Sequence, residues 1–99
     1  MKTINATTLR EKIINKEDIL LVDVRETCEH EAFNIGGLHI PMNIIFKHQH
    51  IIPKDKPVVF YCYKGIRSGL VIQRLQQKYP YKNLINLSGG MHHWMKAFK

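Results

Sequence analysis

The stretch PVVFYCYKGIRSGLVIQ, residues 57–73, contains a short apolar run, a cysteine, a small basic loop and the start of an amphipathic segment. Residues Val58 to Tyr61 are β-branched or aromatic and too few for a helix, which is typical of a buried strand in a parallel sheet. The strand ends at Cys62. The sequence therefore predicts that this thiol lies at the C-terminal edge of a parallel sheet, where α/β proteins commonly bind their ligands.

A helix is predicted to begin near Arg67 or Ser68, because apolar residues recur from there at helical spacing. Its expected apolar face consists of Ile66, Leu70, Val71 and Leu75. Cys62 then precedes a helix N-terminus by only a few residues. The backbone N–H groups of residues 63–68 and the positive end of the helix dipole can point at its sulfur.

The loop between this strand and this helix favours a reactive thiolate at Cys62. Lys64 and Arg67 add two positive charges, and the thiolate is the nucleophilic form of cysteine. Gly65 and Gly69 allow the backbone to curl closely around one atom. The alternative is a buried structural cysteine at the end of a core strand. The cations and glycines favour the reactive interpretation.

Three motifs resemble those of the rhodanese-like domain family. The segment Cys62–Arg67, CYKGIR, resembles the active-site loop of that family, with four residues between the cysteine and a basic residue. The segment Leu20–Glu26, LLVDVRE, resembles an early strand motif that ends in Asp-x-Arg. The segment Leu87–Trp94, LSGGMHHW, resembles a C-terminal motif of paired glycines followed by tryptophan. The resemblance extends from about Thr8 to the end of the chain.

This resemblance implies an α/β fold, a small parallel sheet flanked by helices on both faces. It also implies a sulfurtransferase that needs no cofactor, in which Cys62 takes a sulfane sulfur from an anionic donor as a persulfide and passes it to a thiophilic acceptor, possibly a protein thiol. The expected substrate-binding residues are those of the loop: Tyr63, Lys64, Gly65, Ile66 and Arg67. Thiosulfate-active relatives frequently have arginine where this chain has Tyr63.

Asp23 and Arg25 lie at or just past the C-terminal end of the strand predicted for residues 19–24, at the same edge of the sheet. The resemblance implies that the matching residues are structural or line the rim of the pocket. From the residues alone, an ion pair that fixes loops is the preferred interpretation of Asp23. Cys28 is expected to be a bystander, because it lacks the basic, glycine-rich surroundings of Cys62.

Length and composition predict one domain over residues 1–99, with 44% hydrophobic residues and a net charge of +7. No segment has the apolar length of a membrane span or the pattern of a signal peptide, so a cytoplasmic protein and two unpaired cysteines are expected. The basic residues are dispersed, which favours small anions over nucleic acid as partners. The oligomeric state is not predicted.

The remaining segments complete an alternation of strands and helices. A first helix is expected to be capped by Thr7 or Thr8 and to end near Asn15. Further elements are a short helix over residues 26–33, a second over 43–50, a strand over 84–87 and a C-terminal helix over 91–98. His48 and His50, like His92 and His93, lack a third ligand nearby, so no metal site is predicted.

Two other functions are weighed against sulfur transfer. Phosphatases and arsenate reductases that resemble rhodaneses have a cysteine loop one residue longer, and the shorter loop after Cys62 leaves less room for a tetrahedral phosphate. The second alternative is a non-catalytic or regulatory binding module with this fold. Such modules usually lack the cysteine, which is present here.

Overall fold

The computed structural model describes residues 1–98, and the elements within them alternate as expected for an α/β protein. In chain order they are β1 (Lys2–Ile4), α1 (Ala6–Ile14), β2 (Leu20–Asp23), α2 (Thr27–Ala32), β3 (Leu38–His39), a 3-10 helix (Ile45–Ile51), β4 (Val58–Tyr61), α3 (Ile66–Lys78), β5 (Leu84–Leu87) and α4 (Gly90–Phe98). The strands form one parallel sheet in the order β1-β5-β4-β2-β3. The predicted fold class is confirmed.

Strand β4 lies at the centre of the sheet and is buried on both faces. Val58 and Phe60 pack into the core beneath α3, whereas Val59 and Tyr61 pack into the core beneath α1 and α4. This alternation follows from the two-residue period of a strand, and each such side chain stabilises the fold by about 1.5–3 kcal/mol. The period continues at Cys62, which faces the α3 side.

The first helix begins earlier than its sequence signals predicted. Asn5, rather than Thr7 or Thr8, is the N-cap, and its Oδ1 accepts a hydrogen bond from the Thr8 N–H at 2.8 Å. Asparagine caps a helix as well as threonine does, and here the extended backbone of Asn5 places its side chain correctly. Expecting the cap at Thr7 or Thr8 was therefore wrong.

Helix α3 buries two of the four residues of its predicted apolar face, Val71 and Leu75, and exposes the other two. Ile66 is 68% exposed and Leu70 is 41% exposed. The buried residues are Ser68, Val71, Ile72 and Leu75, which follow an i, i+3, i+4, i+7 pattern. Ser68 can belong to the buried face because its hydroxyl has a hydrogen-bond partner inside the protein, Asn86 Oδ1.

Strand β1 was not predicted, because three residues are too few to show a period. It exists through pairing with β5, where Thr3 lies opposite Asn86. The short helix expected over residues 43–50 is present as a 3-10 helix over Ile45–Ile51. No helix within residues 1–98 combines the length and the apolar character needed to cross a membrane.

A buried ion pair stands at the C-terminal end of β2. Arg25 donates from Nη2 to Asp23 Oδ2 at 2.8 Å and from Nε to Oδ1 at 3.0 Å, and His30 Nδ1 lies 2.9 Å from the same carboxylate. Arg25 Nη2 also donates to the Phe33 carbonyl at the end of α2. Burial opposes ionisation of Asp23, but the hydrogen bonds from Arg25 and His30 lower its pKa below the ordinary 3.8. The pair thus ties β2 to α2, in agreement with the structural interpretation.

The N-terminus of α4 is packed against the backbone that follows β4. The N–H of Met91 donates to the Cys62 carbonyl at 2.9 Å, and the N–H of His92 donates to the Tyr63 carbonyl at 2.8 Å. Gly90 has φ +55°, and a Cβ there would collide with the Cys62 carbonyl oxygen and lie 2.6 Å from that of Tyr63. Only glycine fits, because both the conformation and the close approach exclude a side chain.

Replacing Asp23 with asparagine leaves Arg25 buried without its counter-charge. We expect the free energy of unfolding, measured in urea at neutral pH, to fall by about 3–5 kcal/mol. Asp18→Asn is the control, because Asp18 pairs with Lys56 at 3.3 Å with its own side chain 85% exposed. That variant should lose less than about 1 kcal/mol. Similar small losses in both would contradict the structural role of the buried pair.

The same ion pair makes stability depend on pH. Because the folded-state pKa of Asp23 lies below the ordinary 3.8, its stabilisation is complete above that value and is lost as the pH falls through the lower folded-state pKa. The gap in unfolding free energy between the wild type and Asp23→Asn should therefore be constant near neutrality and should narrow in acid. Urea titrations at a series of pH values measure it.

Gly90→Ala should destabilise the protein more than Gly36→Ala. Both glycines have positive φ, +55° and +96°, but a Cβ at Gly36 meets nothing within 4 Å. We expect about 1–2 kcal/mol for Gly36→Ala from backbone strain alone. Gly90→Ala should lose about 3 kcal/mol or more, because the backbone after β4 must move. Equal losses in thermal or urea unfolding would show that the close packing of α4 adds nothing.

Candidate active site

Cys62 directly follows β4 and is only 1% exposed. Its Sγ accepts hydrogen bonds from the backbone N–H of Gly65 at 3.1 Å and of Ser68 at 3.4 Å. The Ser68 hydroxyl oxygen lies 3.3 Å from the same sulfur. The prediction that backbone N–H groups of this loop point at the sulfur is therefore confirmed for two of them.

The sulfur acts as the capping acceptor of α3. The first N–H groups of a helix lack partners within the helix, and an N-cap side chain usually accepts from the third residue. The N-cap here is Gly65, with φ +90° and no side chain, so the N–H of Ser68, the third helical residue, turns to Cys62 Sγ instead. The positive end of the helix dipole is thus directed at the sulfur, which favours an anion there.

Tyr63 and Lys64 form the exposed outer part of the loop. The Tyr63 hydroxyl lies 3.2 Å from His92 Nδ1, and the two rings meet edge to face. Burial and then the positive charges of Lys96 and Lys64 lower the pKa of His92, so the neutral ring is favoured beside the loop. The side chain after Cys62 is therefore held against α4.

Arg67 does not reach the sulfur but is paired with α2. Its Nη1 and Nη2 donate to Glu29 Oε1 and Oε2 at 2.8 and 3.0 Å. This two-point hydrogen bond is the main cause that lowers the pKa of Glu29 and raises that of Arg67. The sequence predicts that Arg67 adds a full positive charge to the loop. The charge lies near the loop, but Glu29 neutralises much of it.

Sequence reasoning missed two polar side chains beside the sulfur. Ser68 Oγ lies 2.6 Å from Asn86 Oδ1, and Asn86 Nδ2 donates to the Gly65 carbonyl at 3.0 Å. Both residues are buried. Asn86 interrupts an otherwise apolar strand, and this polar residue among apolar ones was the signal that could have revealed it.

The other candidate residues lie apart from the sulfur. Asp23 and Arg25 are buried in their own ion pair, and neither forms a hydrogen bond with Cys62. Cys28 is exposed on α2, and both cysteines are free thiols. No group of three metal-ligating side chains occurs in the part of the chain that the structure describes.

A cleft of about 850 Å³ opens beside α3. Arg67 and Arg74 line it from that helix, and Met42 and Phe46 line it from the segment after β3. Cys62 is not among its lining residues. The cleft therefore borders the loop on the Arg67 side rather than opening directly onto the sulfur.

The arrangement can stabilise a sulfur anion without a general base. Within residues 1–98, two backbone N–H groups donate to Cys62 Sγ and a hydroxyl oxygen lies beside it, with no carboxylate or imidazole in hydrogen-bond contact. Backbone donors at a helix N-terminus are suited to hold negative charge on the nucleophile and on an atom attached to it.

Comparison with known proteins identifies the family. The sequence model of the Rhodanese-like domain matches residues 5–97. A protein of Allochromatium vinosum named sulfurtransferase is 36% identical over 94% of this chain and 87% of its own length. The thiosulfate sulfurtransferase GlpE of Coxiella burnetii is 34% identical over 84% of this chain and 78% of its own.

A solved structure agrees with these sequence matches. The crystal structure of a rhodanese-like domain protein from Staphylococcus aureus superposes with a TM-score of 0.85 and 28% identity. The match covers 95% of this chain and 91% of that one. Family model, sequence relatives and structure coincide over nearly the same residues, and the chain belongs to the rhodanese-like domain family.

Proposed function

We propose that this protein is a sulfurtransferase in which Cys62 carries a sulfane sulfur as a persulfide. The observation that carries the proposal is the pair of backbone N–H groups, from Gly65 and Ser68, directed at Cys62 Sγ from a helix N-terminus. Relatives named sulfurtransferase at 34–36% identity support the same activity.

In the first step the Cys62 thiolate attacks the outer sulfur of an anionic donor such as thiosulfate. A bond forms between Sγ and that sulfur, the bond from the outer sulfur to the sulfonate sulfur breaks, and sulfite leaves with the electron pair. The donated sulfur then carries the negative charge within reach of the loop N–H groups. Because the attacking species is the thiolate, no proton has to be removed during the attack.

In the second step a thiophilic acceptor attacks the outer sulfur of the persulfide. With a thiolate acceptor, a new sulfur–sulfur bond forms on the acceptor and Cys62 leaves as the thiolate, which restores the starting state. The donor is held by the residues Tyr63 to Arg67. Lys64 attracts its oxyanion, and Arg67 contributes when the oxyanion competes with Glu29 for the guanidinium.

The geometry of the loop favours sulfur transfer over the two alternatives. Four residues separate Cys62 from Arg67, and the backbone N–H groups of Gly65 and Ser68 converge on one sulfur atom, whereas phosphate needs a wider ring of donors. A purely regulatory domain would have no need of a sulfur held by two N–H groups. A phosphatase would hydrolyse an aryl phosphate, and a regulatory module would transfer no sulfur.

Cys62→Ser should abolish sulfur transfer, and Cys28→Ser should leave it unchanged. Cys62 has the N–H donors, whereas Cys28 is exposed on α2. Sulfur transfer from thiosulfate or an organic persulfide to a thiol is measured by the release of sulfite or the formation of the acceptor persulfide. Mass spectrometry should find one added sulfur on Cys62. Activity in Cys62→Ser, or faster hydrolysis of an aryl phosphate by the wild type, would refute the proposal.

Removing positive charge at the loop should weaken reaction with anionic donors. Lys64→Ala and Arg67→Ala should each slow thiosulfate turnover by up to about tenfold, with persulfide still detectable because the backbone donors remain. Arg67→Ala should be the more damaging, since a guanidinium can hold an oxyanion at two points. Rates at low and high salt test the cause, because salt screens such charges.

Glu29→Gln should act in the opposite direction, because it releases the Arg67 guanidinium from its two-point pair. Thiosulfate turnover should rise and become more sensitive to salt. Lys78→Ala is the matched control for Arg67→Ala, since it removes one positive charge from the last turn of α3. Unchanged rates in Lys64→Ala and Arg67→Ala would mean that these cations are only surface charges.

A further inference from the structure

Asn86 is a buried polar residue that the proposed sulfur transfer does not use. It lies on β5 opposite Phe60 of β4, two residues before Cys62. Its Nδ2 donates to the Gly65 carbonyl, and its Oδ1 lies 2.6 Å from Ser68 Oγ. A Cβ at Gly69 would lie 3.4 Å from Nδ2, so α3 packs closely over this amide. Asn86 therefore supports the loop from beneath.

The direction of each hydrogen bond in this group is fixed by its chemistry. The Gly65 carbonyl can only accept, so Asn86 must present its NH₂ to Gly65 and its carbonyl oxygen to Ser68. That oxygen can also only accept, so the proton in the 2.6 Å contact belongs to the Ser68 hydroxyl. A hydroxyl has one proton. Ser68 therefore cannot donate to Cys62 Sγ, 3.3 Å away, while it donates to Asn86.

The Ser68 oxygen instead presents a lone pair to the sulfur. It can accept the S–H of the Cys62 thiol, but it gives no hydrogen bond to the thiolate. Rotating the hydroxyl toward the sulfur would leave Oδ1 of Asn86 buried without a partner, which is costly in the interior. The anion is then held by the backbone N–H groups of Gly65 and Ser68 alone.

We propose that Asn86 is a positioning residue that acts through Ser68: by holding the Ser68 hydroxyl proton, it withholds a third hydrogen bond from the Cys62 thiolate and keeps the sulfur more nucleophilic. A thiolate with fewer donors forms less readily but attacks faster once formed. The kinetic part of this inference rests on the proposed sulfur transfer. The ionisation part does not, because it is measured on the free protein without a donor.

The test is a double-mutant cycle of Asn86→Leu and Ser68→Ala, made in Cys28→Ser so that thiolate absorbance reports Cys62 alone. Leucine keeps the branched shape of Asn86 at a larger volume but leaves the Ser68 hydroxyl free to donate to the sulfur. In the presence of Ser68, Asn86→Leu should shift the thiol–thiolate equilibrium toward thiolate about tenfold more than in the Ser68→Ala background. Any loosening of the loop affects both backgrounds and cancels.

The charged and titratable groups around the loop are the same in all four proteins. They are Lys64 on the loop, Arg67 with Glu29, and on α4 His92 with Lys96. At pH values where the thiol is fully ionised, persulfide formation should be about threefold slower in Asn86→Leu, since nucleophilicity falls as the thiolate is stabilised. If Asn86 had only a structural role, a shift toward thiolate would not be accompanied by slower persulfide formation at full ionisation.

Equal shifts of the thiolate equilibrium in both backgrounds would overturn the proposal. Should Asn86→Leu not fold, Ser68→Ala decides alone: a thiolate equilibrium within about twofold of the starting protein supports the proposal, because the missing hydroxyl gave the anion no hydrogen bond. A tenfold loss of thiolate would show that Ser68 already donates to sulfur, and overturns it. If the thiol–thiolate equilibrium shifts as expected but the wild-type protein transfers no sulfur, the role of Asn86 is supported and the proposed function is refuted.

Discussion

The hydrogen bonds from the backbone N–H groups of Gly65 and Ser68 to Cys62 Sγ are the constraint on which the site depends. These hydrogen bonds require that the sulfur lies at the end of β4 and that Gly65, the N-cap of α3, has a left-handed backbone conformation. They also require that another element holds the loop in place. Helix α4 supplies the last condition, because its first N–H groups hold the Cys62 and Tyr63 carbonyls. Since these donors belong to the backbone, the site tolerates change in most loop side chains as long as the fold is kept.

The short apolar strands and the loop around Cys62 were predicted from sequence because their signals are local. A run such as Val58–Tyr61 shows its own burial, and cations and glycines beside a cysteine show their chemistry. What the sequence did not reveal depends on partners distant along the chain. Strand β1 exists through β5, the Arg67 charge is compensated by Glu29, and Asn86 meets Ser68 across the sheet and helix.

The positive charge available at the loop is smaller than the net charge of the chain suggests. The chain has a formal charge of +7, yet the arginine beside the sulfur is held at two points by a carboxylate. Lys64, by contrast, forms no ion pair within residues 1–98 and is exposed. The anion-stabilising environment of Cys62 therefore has a fixed component, the helix N-terminus, and an adjustable one, the competition between Glu29 and any bound oxyanion.

The burial of Cys62 beneath its own loop separates chemical reactivity from accessibility. Maleimides and other bulky labels need room around the sulfur, so they will tag Cys28 on the surface of α2 before the cysteine of the site. A labelling survey of this protein would thus mark Cys28 and pass over Cys62, the proposed nucleophile. Small anions and hydrogen peroxide need less room than a maleimide, so they are the better reagents for Cys62.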